Sequence, residues 1–331
     1  MTRTHLLSNG EHAHALIEHQ LKALVDWHAP VLANNDPEAL HQLRVAMRRL
    51  RVCLELWEPL LRFPKEMRHK RLVRTSRRLG LARDLDVLQL RLEQQVLPLL
   101  PEGELELLKP VLRQLRRERR QAHEQVAEQL RSGAYLGWLS QMQRWLRKPV
   151  VTPLADEPLA QWLLQWQLGS LSGLTLHPAW RFEHLGHDKQ RDGLHDLRKQ
   201  IKRSRYQLEA CKPLLSRQSR RGLRRLKQGQ ELLGEINDLH VLQRALHDQL
   251  ADPLPQAVPR LAHWLEQSQS QAWEQWRSLA LSTGCPAYVQ QLLVSLQRDQ
   301  RRAQQLQRLE RLCPGLHRLV IGDWRRVDAA R

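Results

Sequence analysis

The residues of this chain best suited to chemistry are a histidine and three arginines at helical spacing. His41, Arg44, Arg48 and Arg51 stand at positions i, i+3, i+7 and i+10, so a helix would project all four from one stripe. A guanidinium group can hold a phosphate or a carboxylate through two parallel hydrogen bonds, and a protonated imidazole supplies a further donor. The pattern therefore predicts a binding site for an anion.

The same pattern returns 154 positions later, where His195, Arg198, Lys202 and Arg205 repeat the spacing of the first group. In the first copy an apolar stripe through Leu43 runs directly beside the basic one, so the basic stripe borders the core. The alternative is a solvated basic face that only keeps the protein soluble. Repetition of the stripe in both halves, headed by a histidine each time, favours the binding site.

Further basic residues at helical spacing extend the predicted anion surface. They fall on the segments that follow each stripe, and the two halves do not place them in the same register. The predicted surface includes, besides the two stripes, Lys70, Arg74, Arg77, Arg116, Arg120, Arg220, Arg224 and Lys227. The basic residues between 113 and 120 have no counterpart in the second half, so we expect an asymmetric surface.

The elements that must position these residues are helices. Only four Ile and six Thr occur, while Leu, Arg, Gln, Glu and Ala dominate, a composition that favours helices over strands. Pro and Gly gather between the periodic segments and predict breaks near 34–37, 62–64, 98–103, 132–134, 149–158, 178–187, 213–219, 251–259 and 284–286. Asp36 before Pro37 marks the start of one helix. We predict an all-α fold of antiparallel helical bundles.

Sliding the chain against itself reveals an internal duplication. At an offset of 154, 19 of the 50 positions from 41 to 90 are identical to their counterparts, without a gap. At an offset of 153, residues 134–136 match residues 287–289. We predict a first helical repeat over 10–148, a proline-containing linker over 149–157, a second repeat over 158–300 and a C-terminal extension over 301–331. Within that extension, LQRLERL indicates that a helix begins.

The charge balance indicates a polyanionic partner. The chain carries 53 Lys and Arg against 35 Asp and Glu, a formal charge of +18, so its own acids are too few to compensate the basic faces. Nucleic acid is the default partner of so basic a chain. However, the basic stripes contain no interleaved aromatic residues on which bases could stack. A ligand that offers phosphates alone fits better.

The two stripes and the segments after them resemble a known family. The pattern H-x-x-R-x-x-x-[RK]-R-x-R occurs at His41 and at His195, and L-G-x-x-x-D-x-x-V-L follows at Leu79 and at Leu233. This doubled pattern is similar to that of the CHAD domain, the conserved histidine α-helical domain, over about residues 10–300. The resemblance implies two four-helix bundles related by a pseudo-twofold axis. It also implies a basic groove or channel between them that binds inorganic polyphosphate, and an association with polyphosphate granules.

Two aspartates and two glycines of the second motif need an explanation of their own. We expect Asp84 and Asp238 to pair with an arginine and orient it, rather than to act in catalysis. Glycine within a helix costs roughly 1 kcal/mol relative to alanine. Gly80 and Gly234, one turn before the aspartates, therefore predict close approach by a ligand or by another helix.

The two motif histidines are predicted to bind phosphate as imidazolium. The alternative is a neutral histidine, hydrogen-bonded at the inner end of a helix. Neighbouring cations should lower the pKa of His41 and of His195, while bound phosphate should raise it, so binding and proton uptake should be linked. Asn237 stands where the first copy has Arg83, which predicts that the two halves differ in affinity.

Catalysis has little support in the sequence. No cluster of carboxylates that could hold a metal is apparent, and neither is an activated nucleophile. His12, His14 and His19 lack acidic or thiol partners at suitable spacing, so we expect them on a surface helix and expect no metal or other cofactor. Four widely spaced cysteines indicate reduced thiols, and no apolar run approaches the roughly 20 residues of a membrane span. We therefore expect a cytoplasmic protein without membrane insertion.

These observations predict a protein that binds inorganic polyphosphate without transforming it. Two alternatives stay open. The same basic surface could bind nucleic acid, although more weakly than polyphosphate. The chain could also be a phosphatase, or an accessory subunit of an enzyme of polyphosphate metabolism.

Overall fold

A computed structural model describes residues 7–64, 67, 72–186, 188–250, 252–282 and 285–312 of the chain. These residues form twelve α-helices and no strand, which confirms the predicted all-α class. In chain order the helices are α1 Asn9–Asp26, α2 His28–Ala33, α3 Pro37–Leu56, α4 Val73–Arg91, α5 Glu102–Arg131, α6 Gly133–Arg147, α7 Leu159–Thr175, α8 Asp188–Ala210, α9 Arg217–His247, α10 Leu254–Ala257, α11 Pro259–Ser282 and α12 Cys285–Leu312.

Side-chain caps fix the starts of the helices that matter for the site. Asp36 accepts a hydrogen bond from the backbone N–H of Glu38 and Pro37 occupies the first turn, so α3 begins where the sequence predicts. Ser216 caps α9 by accepting from the N–H of Ser219. These caps set the register in which α3 and α9 present their basic residues.

The helices pack against one another within each half, and α3 and α8 form a contact between the halves. In the first half α1 packs on α3, α3 on α4 and α4 on α5. In the second half α7 packs on α8 and on α12, and α9 packs on α8 and on α11. Helices α3 and α8, which carry the two histidine stripes, contact each other. Leu43 and Leu50 of α3 and Leu197 and Ile201 of α8 are fully buried, so both stripes border the core as predicted.

The segment between the halves is held at both ends and is not a loose tether. The N–H of Arg62 donates to the carbonyl of Val150, and the N–H of Thr152 donates to that of Leu60, each over 2.9 Å. Near its other end, the N–H of Asn9 donates to the carbonyl of Glu157 over 2.8 Å. The proline-containing segment is therefore attached to the first half at both of its ends.

The N-terminal histidines contact the carboxyl ends of other helices. Nε2 of His12 lies 2.6 Å from the carbonyl oxygen of Ala210, and Nε2 of His14 lies 2.8 Å from that of Leu146. The prediction of a surface location is wrong for His12, which is 5% exposed. Carbonyls in the last turn of a helix lack an intrahelical partner, so such contacts satisfy them.

Helix α12 ends later than the sequence indicates. It runs without interruption from Cys285 to Leu312, so LQRLERL lies in its last turns and does not begin a helix. The boundary predicted at 300 falls inside this helix because no Gly or Pro marks a break there. Residues 313–331, the rest of the predicted extension, lie outside the described residues.

Candidate functional site: a cation-lined cavity

A cavity of about 400 Å³ lies where α3, α4, α8 and α9 come together. Both motif histidines line it, although they are 154 positions apart in the chain. The charged and polar residues of its wall are His41, Arg44, Arg48, Arg83, Asp84, Arg91, His195, Arg198, Asn237 and Asp238. Five arginines against two aspartates give this wall a positive charge even with both histidines neutral.

Helix α4 holds one arginine of the first stripe in place. Nη1 of Arg44 lies 3.3 Å from a carboxylate oxygen of Asp84 and 3.4 Å from the carbonyl oxygen of Gly80. A Cβ added at Gly80 would lie 3.7 Å from the same Nη1, which is an ordinary van der Waals distance. An alanine would therefore fit here, so the Arg44 side chain does not require a glycine at this position. Asp84 pairs with an arginine as predicted.

The residues that the second half contributes to the cavity wall form different hydrogen bonds. Nδ1 of His195 lies 2.8 Å from Oδ1 of Asn237, and the Nδ2 of Asn237 donates to Asp238 over 3.1 Å. Asp238 thus receives its hydrogen bond from an amide and not from the predicted arginine. The Nε of Arg198 is buried and without a hydrogen-bond partner among the described residues. An acceptor brought by a ligand would be favoured at such a group.

Several basic residues in the cavity wall or close to it have no partner among the described residues; Lys202 lies outside the wall but close to its arginines. Arg48, Arg83 and Lys202 form no hydrogen bond and no ion pair with any residue in the described part of the chain. Burial, and after it the charge of Arg48, lowers the pKa of Arg44. Burial also lowers the pKa of Arg198. The positive charges around the cavity therefore repel one another, and a bound anion would reduce that repulsion.

Lys202 is the most strongly affected of these groups. Burial, followed by the charges of Arg48, Arg198 and Arg44, lowers the pKa of Lys202 to about 6. Near neutral pH its amine is therefore largely uncharged while the protein is free of ligand. An anion in the cavity would favour the ammonium form.

The pKa values of His41 and His195 are lowered, which is the direction that the sequence predicts. Burial comes first and the charge of Arg83 second in lowering the pKa of His41. For His195 burial again comes first in lowering the pKa, followed by the charge of Lys199, while the hydrogen bond to Asn237 acts in the opposite direction. Both imidazoles are thus held toward the neutral form in the free protein.

Arg83 and Arg91 line the cavity but were missed as site residues in the sequence. Nη2 of Arg91 lies 2.6 Å from Oε2 of Glu235, an ion pair that ties α4 to α9. A signal was available, because Gly80, Asp84 and Arg91 follow each other at i, i+4 and i+11 on one helix face, with Arg83 beside them.

The last residue of each predicted stripe lies outside the wall of the cavity. The Nε of Arg51 is buried without a partner in the described chain, and burial lowers the pKa of this arginine. Arg205 is 8% exposed, donates to Gln230 over 2.9 Å and forms an ion pair with Glu209. Its guanidinium also stacks on the ring of Tyr206 at 4.1 Å. These interactions make Arg205 a packing residue in the ligand-free protein.

The predicted extensions of the surface are exposed and lie outside the cavity wall. This group comprises Arg74, Arg77, Arg116, Arg120, Arg220, Arg224 and Lys227. Of these, Arg116 pairs with Glu93 over 2.9 Å, and Lys227 pairs with Glu231 over 3.6 Å. Lys70 lies outside the described residues.

A buried carboxylate fixes α4 against α5 behind the cavity. Oδ1 of Asp86 lies 2.6 Å from Nε of Arg119 and 2.9 Å from Nε2 of His123. Burial alone would raise the pKa of Asp86, but its interactions with His123 and Arg119 outweigh burial and hold that pKa below the usual range. This cluster fixes α4, which carries Arg83 and Arg91, against α5.

Within the described ranges, metal-ligating side chains do not gather in groups of three or more. None of the described helices is both long enough and apolar enough to cross a bilayer.

The comparison with protein families identifies the chain. Residues 15–247 match the CHAD domain. The chain belongs to the CHAD domain family. The crystal structure of the CHAD domain from the plant Ricinus communis is similar, with a TM-score of 0.60 and 25% identity over 87% of this chain and 92% of that one. PptA from Streptomyces chartreusis shares the fold, with a TM-score of 0.61 and 18% identity over 84% of this chain and 99% of that one. A comparison with curated protein sequences gives no match.

Proposed function

We propose that this CHAD domain protein binds inorganic polyphosphate in the cavity between α3, α4, α8 and α9 and does not transform it. The observation that carries the proposal is the positive charge of Arg48, Arg83 and Arg198, which line one cavity and form no ion pair with another residue of the described chain. Like charges brought together in this way destabilise a free protein, so their retention is best explained by an anion that compensates them. Guanidinium groups bind phosphate oxygens with a geometry that a lysine cannot match.

The proposal includes the duplication and the basic groove. Arg203 pairs with Glu55 over 3.0 Å, and Arg49 pairs with Glu209 over 3.7 Å. Arg203 and Glu209 stand 154 positions after Arg49 and Glu55. The two ion pairs therefore join the same two repeat positions, with the arginine on α8 in one pair and on α3 in the other. This reciprocity supports two repeats related by a pseudo-twofold axis through the α3–α8 contact. The histidine stripes would then face one basic groove.

The chemistry of the wall favours polyphosphate over nucleic acid. Its apolar members are Val45, Val87, Leu88 and Val241, and none of the described residues that line it is aromatic. Base stacking on aromatic rings contributes much of the affinity for single strands, and a cavity of about 400 Å³ cannot admit a duplex. Nucleic acid is therefore the second candidate, bound more weakly through phosphates on the outer basic surface.

The role we propose is binding rather than catalysis. The carboxylates of the wall are Asp84, which pairs with Arg44, and Asp238, whose pKa is raised by burial. Neither arrangement provides the pair of metal-holding carboxylates that phosphoanhydride hydrolysis commonly uses. We propose that the protein works in the cytoplasm, where binding would place it on polyphosphate granules. A phosphatase, or an accessory subunit of a polyphosphate enzyme, is the competing role.

Titration calorimetry tests the proposal directly. The purified chain is titrated with polyphosphate of defined length, and with single- and double-stranded DNA at equal phosphate concentration, at about 0.15 M salt. Saturable binding of polyphosphate at a fixed stoichiometry, with much weaker DNA binding, is expected. Equal or tighter binding of DNA would contradict the proposal. Release of orthophosphate from polyphosphate with Mg²⁺ present would contradict the non-catalytic role.

A further inference from the structure

A second arginine-lined cleft lies on the outer side of the second half, away from the central cavity. It has a volume of about 700 Å³ and opens between the first turns of α9 and the distal part of α12. Its walls are Ser216, Arg217, Gln218, Arg221, Ser295, Arg298, Asp299, Arg301, Arg302 and Gln305. Five arginines and one aspartate give the described wall a net charge of +4, and none of the described residues that line the cleft is apolar or aromatic.

Four of these five arginines have no counter-charge among the residues that the structure describes. Arg217, Arg221, Arg298 and Arg301 are exposed and form no hydrogen bond or ion pair with another residue of the described ranges. The one carboxylate of the cleft is 5% exposed and engaged elsewhere, because Asp299 accepts the N–H of Ser216 over 2.9 Å. The start of α9 is thus already capped, and the arginine side chains themselves make the site.

The first half shows that the fold does not require arginine at these positions. Arg217 stands 154 positions after Phe63, and Arg298 stands 153 positions after Trp145, the two offsets that align the halves. Phe63 and Trp145 pack together with their ring centroids 4.6 Å apart. The second half therefore has a charged cleft where the first half has an aromatic contact. Packing alone does not explain that exchange, since it places like charges side by side.

We propose that this cleft is a second, separate binding site for a compact oligophosphate anion, such as a segment of inorganic polyphosphate. A protein partner would need apolar or aromatic anchors, and a nucleic acid would gain from rings to stack on. The cleft offers neither and presents guanidinium forks instead. Binding here does not require that the central cavity bind the same ligand.

The two sites share helix α9. Arg221 of the cleft and Asn237 of the central cavity are 16 residues apart on it, which corresponds to about 24 Å along the axis and places them on nearly opposite sides of the helix. The exposed cations Arg224 and Lys227 stand between them in the chain. Only a polyphosphate chain long enough to pass around α9 over this distance would occupy both sites, and such chains should bind more tightly than short ones by an avidity effect.

The test counts binding sites with tripolyphosphate, a probe too short to bridge them. Calorimetry on the full chain should give two sites. The variant Arg217→Gln/Arg298→Gln/Arg301→Gln should lose one of them, with its affinity weakened about 100-fold. The matched control Arg113→Gln/Arg144→Gln/Arg147→Gln removes three exposed arginines outside the cleft and should keep both. Replacement of the three cleft arginines by Lys keeps the charge and should retain measurable binding.

The possible outcomes separate this inference from the proposed function. One site that survives in the cleft variant but disappears in Arg44→Gln/Arg198→Gln overturns the second site and leaves polyphosphate binding in the cavity intact. One site that disappears only in the cleft variant supports the cleft and contradicts the proposed cavity. Equal weakening in the cleft variant and in its matched control overturns a defined cleft. Tighter binding of single-stranded DNA than of tripolyphosphate at the cleft overturns the ligand class.

Discussion

Arg203 of α8 pairs with Glu55 of α3, with 3.0 Å between Nη2 and Oε1, and the same two repeat positions form the opposite pair, Arg49 with Glu209. In each pair an arginine near the middle of one helix meets a glutamate nearer the end of the other, so the contact between α3 and α8 is reciprocal. The basic residues that precede this contact on both helices line one cavity.

The first prediction concerns this contact. Glu55→Arg should lower the free energy of unfolding, because it places two arginines opposite each other, and adding Arg203→Glu should restore part of that stability. Both side chains are substantially exposed, so we expect a coupling of about 0.5 kcal/mol. Urea unfolding of the wild type, the two single variants and the double variant measures it. Strictly additive effects would mean that the pair does not couple the helices.

The second prediction tests the cavity as a defined site. Replacing Arg44 and Arg198 by Glu should weaken polyphosphate binding far more than the same change at Arg318 and Arg325, which lie outside the described residues. Exposed Arg144 gives an additional control within the described chain. Removal of one arginine–phosphate interaction should make the slope of log affinity against log salt shallower by about one unit. Equal weakening at all positions would indicate diffuse electrostatic attraction.

The third prediction links binding to pH. Burial and neighbouring cations lower the pKa of His41, of His195 and of Lys202, the last to about 6. A bound polyanion favours the protonated forms, so affinity should rise as pH falls from 8 to 6, with net proton uptake. Calorimetry in two buffers of different ionisation enthalpy measures that uptake. Affinity unchanged over this range would contradict the linkage.

The fourth prediction separates stability from binding at Lys202. Its pKa is about 6 in the folded protein and near 10.5 in an unfolded chain, so the unfolded state binds the extra proton and stability falls as pH drops from about 10.5 to about 6. Lys202→Met should therefore stabilise the ligand-free protein at pH 7 by about 1 kcal/mol while it weakens polyphosphate binding. Thermal unfolding with and without polyphosphate measures both effects. If Lys202→Met were less stable than the wild type without polyphosphate, this would contradict the electrostatic repulsion that we describe at Lys202.

The fifth prediction concerns the buried cluster behind the cavity. Asp86→Ala should destabilise the protein by about 3 kcal/mol, because it leaves His123 and Arg119 without their shared acceptor. The lowered pKa of Asp86 means that its contribution is present above pH 3.8 and is lost as pH falls below that value. Acid unfolding should therefore be shallower in the variant. Unfolding curves that coincide with wild type would show that the cluster is not structural.

The helices and the two stripes could be predicted from the sequence because they depend on local spacing. Period 3.6 places His41, Arg44 and Arg48 on one face whatever they touch, and Asp36 caps its own helix. The duplication adds a long-range constraint, since two matching stripes are expected to have matching surroundings.

The pairings between helices could not be predicted in the same way. Arg205 belongs to the stripe by spacing, but its position beside Glu209 and Tyr206 removes it from the cavity wall. Likewise, nothing near His12 in the sequence indicates that it lies against the carbonyl of Ala210, 198 positions away. Such pairings depend on where helix ends meet, which packing of the whole chain decides.

The contact of α3 and α8 also sets the order of events during synthesis. Arg44 and Arg198 are 154 positions apart, an interval that a ribosome takes roughly 10 to 30 s to translate. During that time the first stripe has been synthesised, but α8 and α9, which complete the cavity wall, have not. The cation-lined cavity is therefore a late product of folding, completed when α8 and α9 have left the ribosome. A chain that stops at the segment after α6 would carry four of the five wall arginines but would lack α8 and α9, which close the cavity.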